Sequence, residues 1–393
     1  MFSYLLLALA LAGCVASSVF VLLAVLGRRH YRREVAARSA LPQPVQLPLV
    51  SVLKPVHGME PRLRENLESF FLLDYPQFEL LFCARSRDDA ALAIVSELRL
   101  KYQNISASVL VSGEPPWPNA KVYSLAKMVE EARGNILVIS DSDVEVQRNY
   151  LREVTKPFAD PQVGMTTCLY RGFPTGGLWS RLEALGMSVE MTAGVLIANM
   201  MEGMKFALGP TMAIRKDVLD KIGGARACGD YCSDDFLFGN WTDAAGYKVV
   251  LSEHVIDHIV LNRDWKNSWK HQVRWMKSTR CSRPKGHFGT GLTFAMPFGV
   301  LGLVAGMLIG QPLVGLAVCL FCFFQRMFLS VAIGGGVVQD PRATRDAWLY
   351  PLRDLLGFVF WAASYGSRVI DWRGEKYRLE DGGKMVKVTA KSG

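Results

Sequence analysis

"ILVISDSDVEV", residues 136–146, runs an apolar stretch straight into two aspartates separated by one serine. The apolar part has the length and β-branching of a buried strand. Alternate residues of an extended chain face the same side, so Asp141 and Asp143 share one. Carboxylates are costly to bury and repel each other at this spacing. The pair therefore belongs either to a solvated turn or around a cation. A hard divalent ion, Mg2+ or Mn2+, prefers oxygen ligands and keeps positions open for further oxygens.

Working outward, "VSVLKPV" (50–56), "FELLFCA" (78–84) and "ISASVLV" (105–111) read as three earlier strands. "RLRENLESFFLL", "DDAALAIVSELRLKY" and "AKVYSLAKMVEEA" read as the helices between them. Strand–helix alternation predicts an α/β domain with a parallel sheet covered on both faces. Ligands of such sheets bind beyond the C-terminal strand ends. Polar residues stand there: Lys54 after the first strand, Asp88 and Asp89 after the second, Asp141 and Asp143 after the fourth. No P-loop is present and no G-x-G-x-x-G follows a strand, which argues against kinase and dinucleotide chemistry.

Two further stretches carry chemistry-bearing side chains. In "CSDDFLFGNW", Asp234 and Asp235 precede an apolar helical stripe. One could cap that helix; alternatively, mutual repulsion could raise one pKa and make it a general base. "WKHQVRWMKSTR" (269–280) is basic and aromatic. It suits a helix at a membrane interface, and equally an anion site built on Arg274 and Trp275. His254 and His258 are spaced H-x-x-x-H but lie on a strand, too far apart to share a metal.

Half of the 393 residues are hydrophobic, and 45 Lys and Arg outnumber 36 Asp and Glu. A greasy, basic chain points to a membrane surface or a polyanionic ligand. Residues 3–26 are apolar and uncharged, long enough to span a bilayer, since about twenty such residues suffice. The following "GRRHYRRE" places this anchor's C-terminal side in the cytoplasm. A second apolar block, 291–338, is split at Gln311-Pro312 and predicts a helical hairpin. Residues 347–366 are either a fourth span or an interfacial helix. The eight cysteines show no disulfide or zinc spacing. The expected organisation is an anchor (1–28), a linker (29–47), a cytoplasmic α/β domain (48–287), a membrane hairpin (288–338) and a membrane-associated tail (339–393). Met187 and Met191, in the apolar stretch 178–210, offer an adaptable surface for a greasy acceptor or pack an ordinary buried helix.

The order of these pieces resembles the inverting, membrane-bound GT-A glycosyltransferases of families 2 and 21. The chain looks most like the ceramide glucosyltransferase family and its bacterial hopanoid-glycosylating relatives. The likeness runs through "SVLKPVHGMEPRLRENLESFFLLDYPQFELL", "PNAKVYSL", "ISDSDVEV", "LGPTMAIRKDVLDKIGG", "SDDF", "RWMK" and "DWRGEKYRL". It implies a Rossmann-like mixed sheet that binds a UDP-sugar, with Asp88 and Asp89 at the uridine and Lys54, Asn119 and Lys121 near the nucleotide sugar. Asp141 and Asp143 would hold ribose and metal. Asp235 would be the base, beside Asp234, and Arg274 and Trp275 would belong to an (Q/R)-x-x-R-W motif. His271 stands at that motif's first position, a departure that puts its contact with the acceptor region in doubt. The animal ceramide enzymes look like D-S-G where this chain has D-S-D, which favours Asp143 as a metal ligand. The implied reaction moves a hexose from a UDP-sugar to a lipid hydroxyl, as UDP-glucose to ceramide. N-acetylglucosaminyl transfer to a hopanoid is the second reading and a processive polysaccharide synthase the third. A membrane protein that only binds nucleotide or anionic lipid is the non-enzymatic rival. The implied partners are a UDP-sugar, a lipid and the bilayer, with no nucleic acid.

Overall fold

The computed structural model describes residues 1–39, 47–372 and 374–388. Part of the expected linker (40–46), Arg373 of the tail motif and residues 389–393 lie outside the described residues. The chain divides into two compact units. One comprises 33–170, 202–261 and 383–393; the other comprises 1–32, 171–201 and 262–382. The stretch 171–201, which the sequence groups with the α/β domain, thus falls in the unit that contains the anchor.

The first unit is built on an eight-stranded sheet. Its strands are β1 (Val50–Pro55), β2 (Phe78–Ala84), β3 (Ser106–Val111), β4 (Ile136–Ile139), β5 (Val144–Glu145), β6 (Val163–Pro174), β7 (Met212–Arg215) and β8 (Lys248–Val260). Their order is β3-β2-β1-β4-β7-β6-β8-β5. β1 to β4 pair in parallel, as the strand–helix alternation predicts. The other half differs: β7 runs antiparallel to β4 and β6, and β5 antiparallel to β8. The sheet is therefore mixed, as the family resemblance implies, and the parallel order read from strand–helix alternation holds for β1 to β4. Hydrophobic period reports that a strand is buried but not which way it runs, and an antiparallel neighbour needs no crossover helix.

This mixture decides where functional groups meet. Leu53 of β1 pairs with Ile139 of β4, so the residues that follow both strands leave the sheet at one edge. β7 is inverted, and its first residue, Met212, also pairs with Ile139. The segment entering β7, Gly209 to Thr211, therefore arrives at the edge where the parallel strands end. Buried Glu79 ties the opposite end together, accepting hydrogen bonds from Ser51 Oγ (2.6 Å), Arg133 N (2.8 Å) and Arg133 Nε (2.7 Å).

Among the described residues, three helices that lie wholly or mostly in the second unit are long and apolar enough to cross a membrane: Phe2–Ser39, Gly177–Glu202 and Pro312–Gly335. Met296–Leu308 is apolar but shorter. It packs on the helix starting at Pro312 through small residues: a Cβ on Gly306 would lie 2.6 Å from Gly315 Cα. Such close backbone approach is how helices associate where no water drives them together. The helix Tyr350–Ala363 has 14 residues, short of the roughly twenty that span a bilayer. Its buried Asp354 accepts the Ala295 and Met296 N–H groups (2.9 and 2.8 Å) and pairs with buried Arg326 (3.2 Å). Cys319 and Cys322 behave as packing residues, as expected, with Cys322 fully buried.

In the sheet unit, the helix Asp234–Ala244 lies against residues 206–207 so closely that a Cβ on Gly239 would sit 2.4 Å from the Ala207 nitrogen. Gly239→Ala must push that helix outward, and Asp235 with it. The expected cost is about 1–3 kcal/mol, read from thermal or denaturant unfolding, with a loss of activity beyond what the unfolded fraction explains.

Candidate active site

Asp141 and Asp143 leave β4 at the shared edge. Lys121, in the first turn of the helix Ala120–Glu131, places its Nζ 2.7 Å from Asp141 Oδ1 and 3.4 Å from Asp234 Oδ2. Burial disfavours the Lys121 ammonium, but Asp141 and Asp234 outweigh it and hold its pKa above the ordinary lysine range. Burial, with Asp143 and Asp234 nearby, raises Asp141 against the pull of Lys121. Asp143 Oδ2 lies 3.1 Å from His258 Nε2 on β8. Burial works against the Asp143 charge, but the paired imidazole prevails and holds this carboxyl below its usual value.

Asp235 occupies the first turn of the helix Asp234–Ala244. Its Oδ2 accepts from Gly209 N (3.0 Å) and its Oδ1 from Phe236 N (2.8 Å). Burial, then repulsion from Asp234, pushes its pKa up to about 6. The capping alternative does not hold, because the cap position is Ser233 and no side chain caps there. Two acidic neighbours at a helix start thus differ: Asp234 Oδ2 lies toward Lys121, while Asp235 is held by backbone donors.

Other sequence-predicted residues take different places. Lys54 is fully buried; its Nζ donates to the Asp141 carbonyl and to Ser140 Oγ (3.4 Å) and lies 3.9 Å from the Phe70 ring centroid. Burial lowers its pKa to about 7. It holds the Asp141 turn. The Asn119 side chain caps the helix Ala120–Glu131 by accepting from Val122 N (3.2 Å) and donates to Tyr231 O (2.9 Å). Asp89 ties the loops after β1 and β2 together, accepting from Gly58 N (2.8 Å) and lying 3.1 Å from His57 Nδ1. Asp88 is exposed beside it.

Two residues escaped the sequence reading. Glu60 accepts from Ser142 Oγ (2.7 Å), and burial followed by the Asp143 charge raises its pKa to about 7. His258, on β8, reaches Asp143. The spacing of two histidines on β8 was the only signal for it.

The donor set fits a divalent cation. Asp141 and Asp143 supply hard oxygens, and Asp143 Oδ1 is buried without a hydrogen-bond partner. No group of three or more His, Cys, Asp or Glu among the described residues could hold a metal unaided. Two carboxylates with water and ligand oxygens completing the shell is the usual arrangement for Mg2+.

His271, Arg274, Trp275, Met187 and Met191 belong to the second unit. His271 Nδ1 lies 2.7 Å from Glu183 Oε1, and its ring packs on Trp275 (centroids 4.3 Å apart). The Arg274 guanidinium lies 4.8 Å from the Trp372 ring centroid. Met187 is buried and Met191 half-buried on a widened helical turn, Gly186–Met191.

The family model for glycosyl transferase family 21 matches residues 6–385. The chain belongs to this family. "Ceramide glucosyltransferase 1" of Caenorhabditis elegans is 31% identical over 253 residues, 63% of this chain and 52% of that protein. The chain thus spans about half the length of that relative. "Ceramide glucosyltransferase 3" of the same organism is 25% identical over 346 residues, 86% of this chain and 74% of that protein. Among solved structures, a mannosyltransferase from Pyrobaculum calidifontis in complex with GDP-Man and Mn2+ aligns with a TM-score of 0.50 and 18% identity. The alignment covers 90% of this chain and 98% of that one. The likeness shows the fold, which is GT-A.

In this family 21 member, Lys121 is the cation that offsets both Asp141 and Asp234. Lys121→Met leaves them uncompensated, and losing one partner of a buried pair costs about 3–5 kcal/mol. Protonation relieves such repulsion, so the melting-temperature deficit against wild type should shrink as pH falls.

Proposed function

We propose that this protein is an inverting glycosyltransferase that moves a hexose from a UDP-sugar to the hydroxyl of a membrane lipid, with UDP-glucose and ceramide as the reading best supported. Family membership and the names of the curated relatives support the reaction class and the lipid. The observation that carries the chemistry is Asp235, a carboxyl raised to about 6 at the sheet edge where Asp141 and Asp143 emerge.

An alcohol attacks poorly while it keeps its proton. In the proposed step the lipid oxygen bonds to the anomeric carbon and the bond to the UDP oxygen breaks on the opposite face. The alcohol proton passes to Asp235, whose pKa suits a base near neutral pH. Gly209 N and Phe236 N fix its carboxylate, and each oxygen keeps a lone pair free. Lys54 holds the Asp141 turn from below, and Asn119 links the Lys121 helix to the loop at Tyr231. Asp141 and Asp143 would hold a divalent cation, which when bound supplies positive charge to the departing diphosphate. Arg274 would add to that neutralisation, a role that rests on the family motif. The arginine cluster after the anchor favours a cytoplasmic sheet unit.

Asp235→Asn should lower kcat by about 10²- to 10⁴-fold, read as UDP release with ceramide present. Full activity in that variant refutes the base. The base works deprotonated, so kcat should climb with pH through about 6 and then level off. EDTA should abolish transfer and Mn2+ or Mg2+ restore it. Asp143→Asn should raise the metal concentration needed, measured by titrating Mn2+ against activity.

A further inference from the structure

The second unit holds a set of polar atoms that its own side chains leave unsatisfied. Glu190 sits on the widened turn Gly186–Met191, inside a helix long and apolar enough to cross a membrane. Extra-residue turns of this kind recur at functional sites, and an ionisable group in such a helix is expensive unless it has a use. Arg353, only 4% exposed, reaches that turn from the helix Tyr350–Ala363. Its Nη2 donates to Gln272 Oε1 (3.0 Å) and lies 3.1 Å from Glu190 Oε2. Nε and Nη1 have no hydrogen-bond partner, and neither does Glu190 Oε2, because the ion pair is close without being aligned. Glycine at 186 makes room for the guanidinium, since a Cβ there would lie 2.3 Å from Arg353 Nε.

The contrast with neighbouring pairs in the same unit is direct. Asp354 spends one oxygen on Arg326 and the other on two backbone N–H groups. Glu183 is saturated by Asn262, His271 and Ser268. Arg326 keeps one idle donor, Nε, beside a carboxylate that is fully used, whereas the Glu190–Arg353 pair leaves two donors and an acceptor idle at one place. Buried polar atoms without partners are costly, so a ligand that satisfies them is selected over one that does not.

We propose that Glu190, Arg353 and Gln272 form the subsite for the polar head of the lipid acceptor, a neutral group that presents both a hydrogen-bond acceptor and a donor, such as an amide beside a hydroxyl. The charges of Glu190 and Arg353 cancel, so the subsite has no excess charge for a phosphate, and the carboxylate repels one. Met187 and Met191 on the same turn give the adjoining chain an adaptable apolar wall. This inference rests on the lipid glycosyltransferase reading and adds the discrimination among lipids.

The test uses the full-length protein in detergent with UDP-glucose and two acceptors, ceramide and diacylglycerol, which has a hydroxyl but no amide. Glu190→Gln and Arg353→Lys should each raise KM for ceramide about tenfold, the worth of one lost buried hydrogen bond. KM for UDP-glucose should stay within about twofold, and the preference for ceramide over diacylglycerol should collapse. A purely structural role would move both KM values or only the amount of folded protein. Unchanged ceramide KM in both variants overturns the subsite. If either variant misfolds, wild-type protein decides the matter: ceramide with a diazirine beside its amide should label residues 186–191 or 350–357. Labelling confined elsewhere overturns the subsite while leaving the function standing. Wild-type protein that glycosylates neither lipid sinks the function itself.

Discussion

The site depends on one electrostatic imbalance. Asp141, Asp143, Asp234 and Asp235 crowd a single edge of the sheet, where Lys121 lies against Asp141 and Asp234 and the His258 imidazole lies against Asp143. Lys121 is drawn between Asp141 and Asp234, His258 is committed to Asp143, and Asp235 keeps only backbone donors. The unequal sharing separates the roles. Asp143, beside the His258 imidazole, is held below its usual value and suits a cation, whereas Asp235 is pushed up to about 6 and suits proton transfer.

That imbalance is a product of topology. Parallel strands deliver their C-terminal ends to one edge, which places Asp89 and Asp141 there. β7 runs the other way, so it delivers its N-terminal approach, with Gly209 facing Asp235, to the same edge. Helix Asp234–Ala244 can come close enough because Gly239 has no side chain to keep it off residues 206–207.

Much of this was legible in the sequence. The four parallel strands announced themselves by apolar, β-branched runs, and the D-x-D by its place after one of them. Asp235 was legible because paired acids before an apolar stripe are conspicuous. What was not legible has a common cause. The hydrogen bonds that Lys54 and Asn119 make within the protein were hidden, because sequence does not say which way a polar side chain turns. Glu60 and His258 meet Ser142 and Asp143 across 82 and 115 residues of chain, and no local pattern reports such a meeting. The direction of β7 was hidden for the same reason. The spare hydrogen-bonding capacity of Arg353 shows only when its neighbours are in place.

The placement of residues 171–201 has an evolutionary consequence. β6 and β7 are hydrogen-bonded neighbours, with Met165 opposite Ile214 and Thr167 opposite Met212. Everything between them is, topologically, an outsized hairpin loop whose two ends are clamped by strand register. Loop length adds little to the closure entropy, about 0.6 kcal/mol per doubling. The excursion that carries Met187, Glu190 and Met191 is therefore an insertion point: its contents can be exchanged without shifting Gly209 or the Asp235 carboxylate it holds. With the proposed assignments, such a chain can change the molecule it modifies while keeping the sheet edge at Asp235.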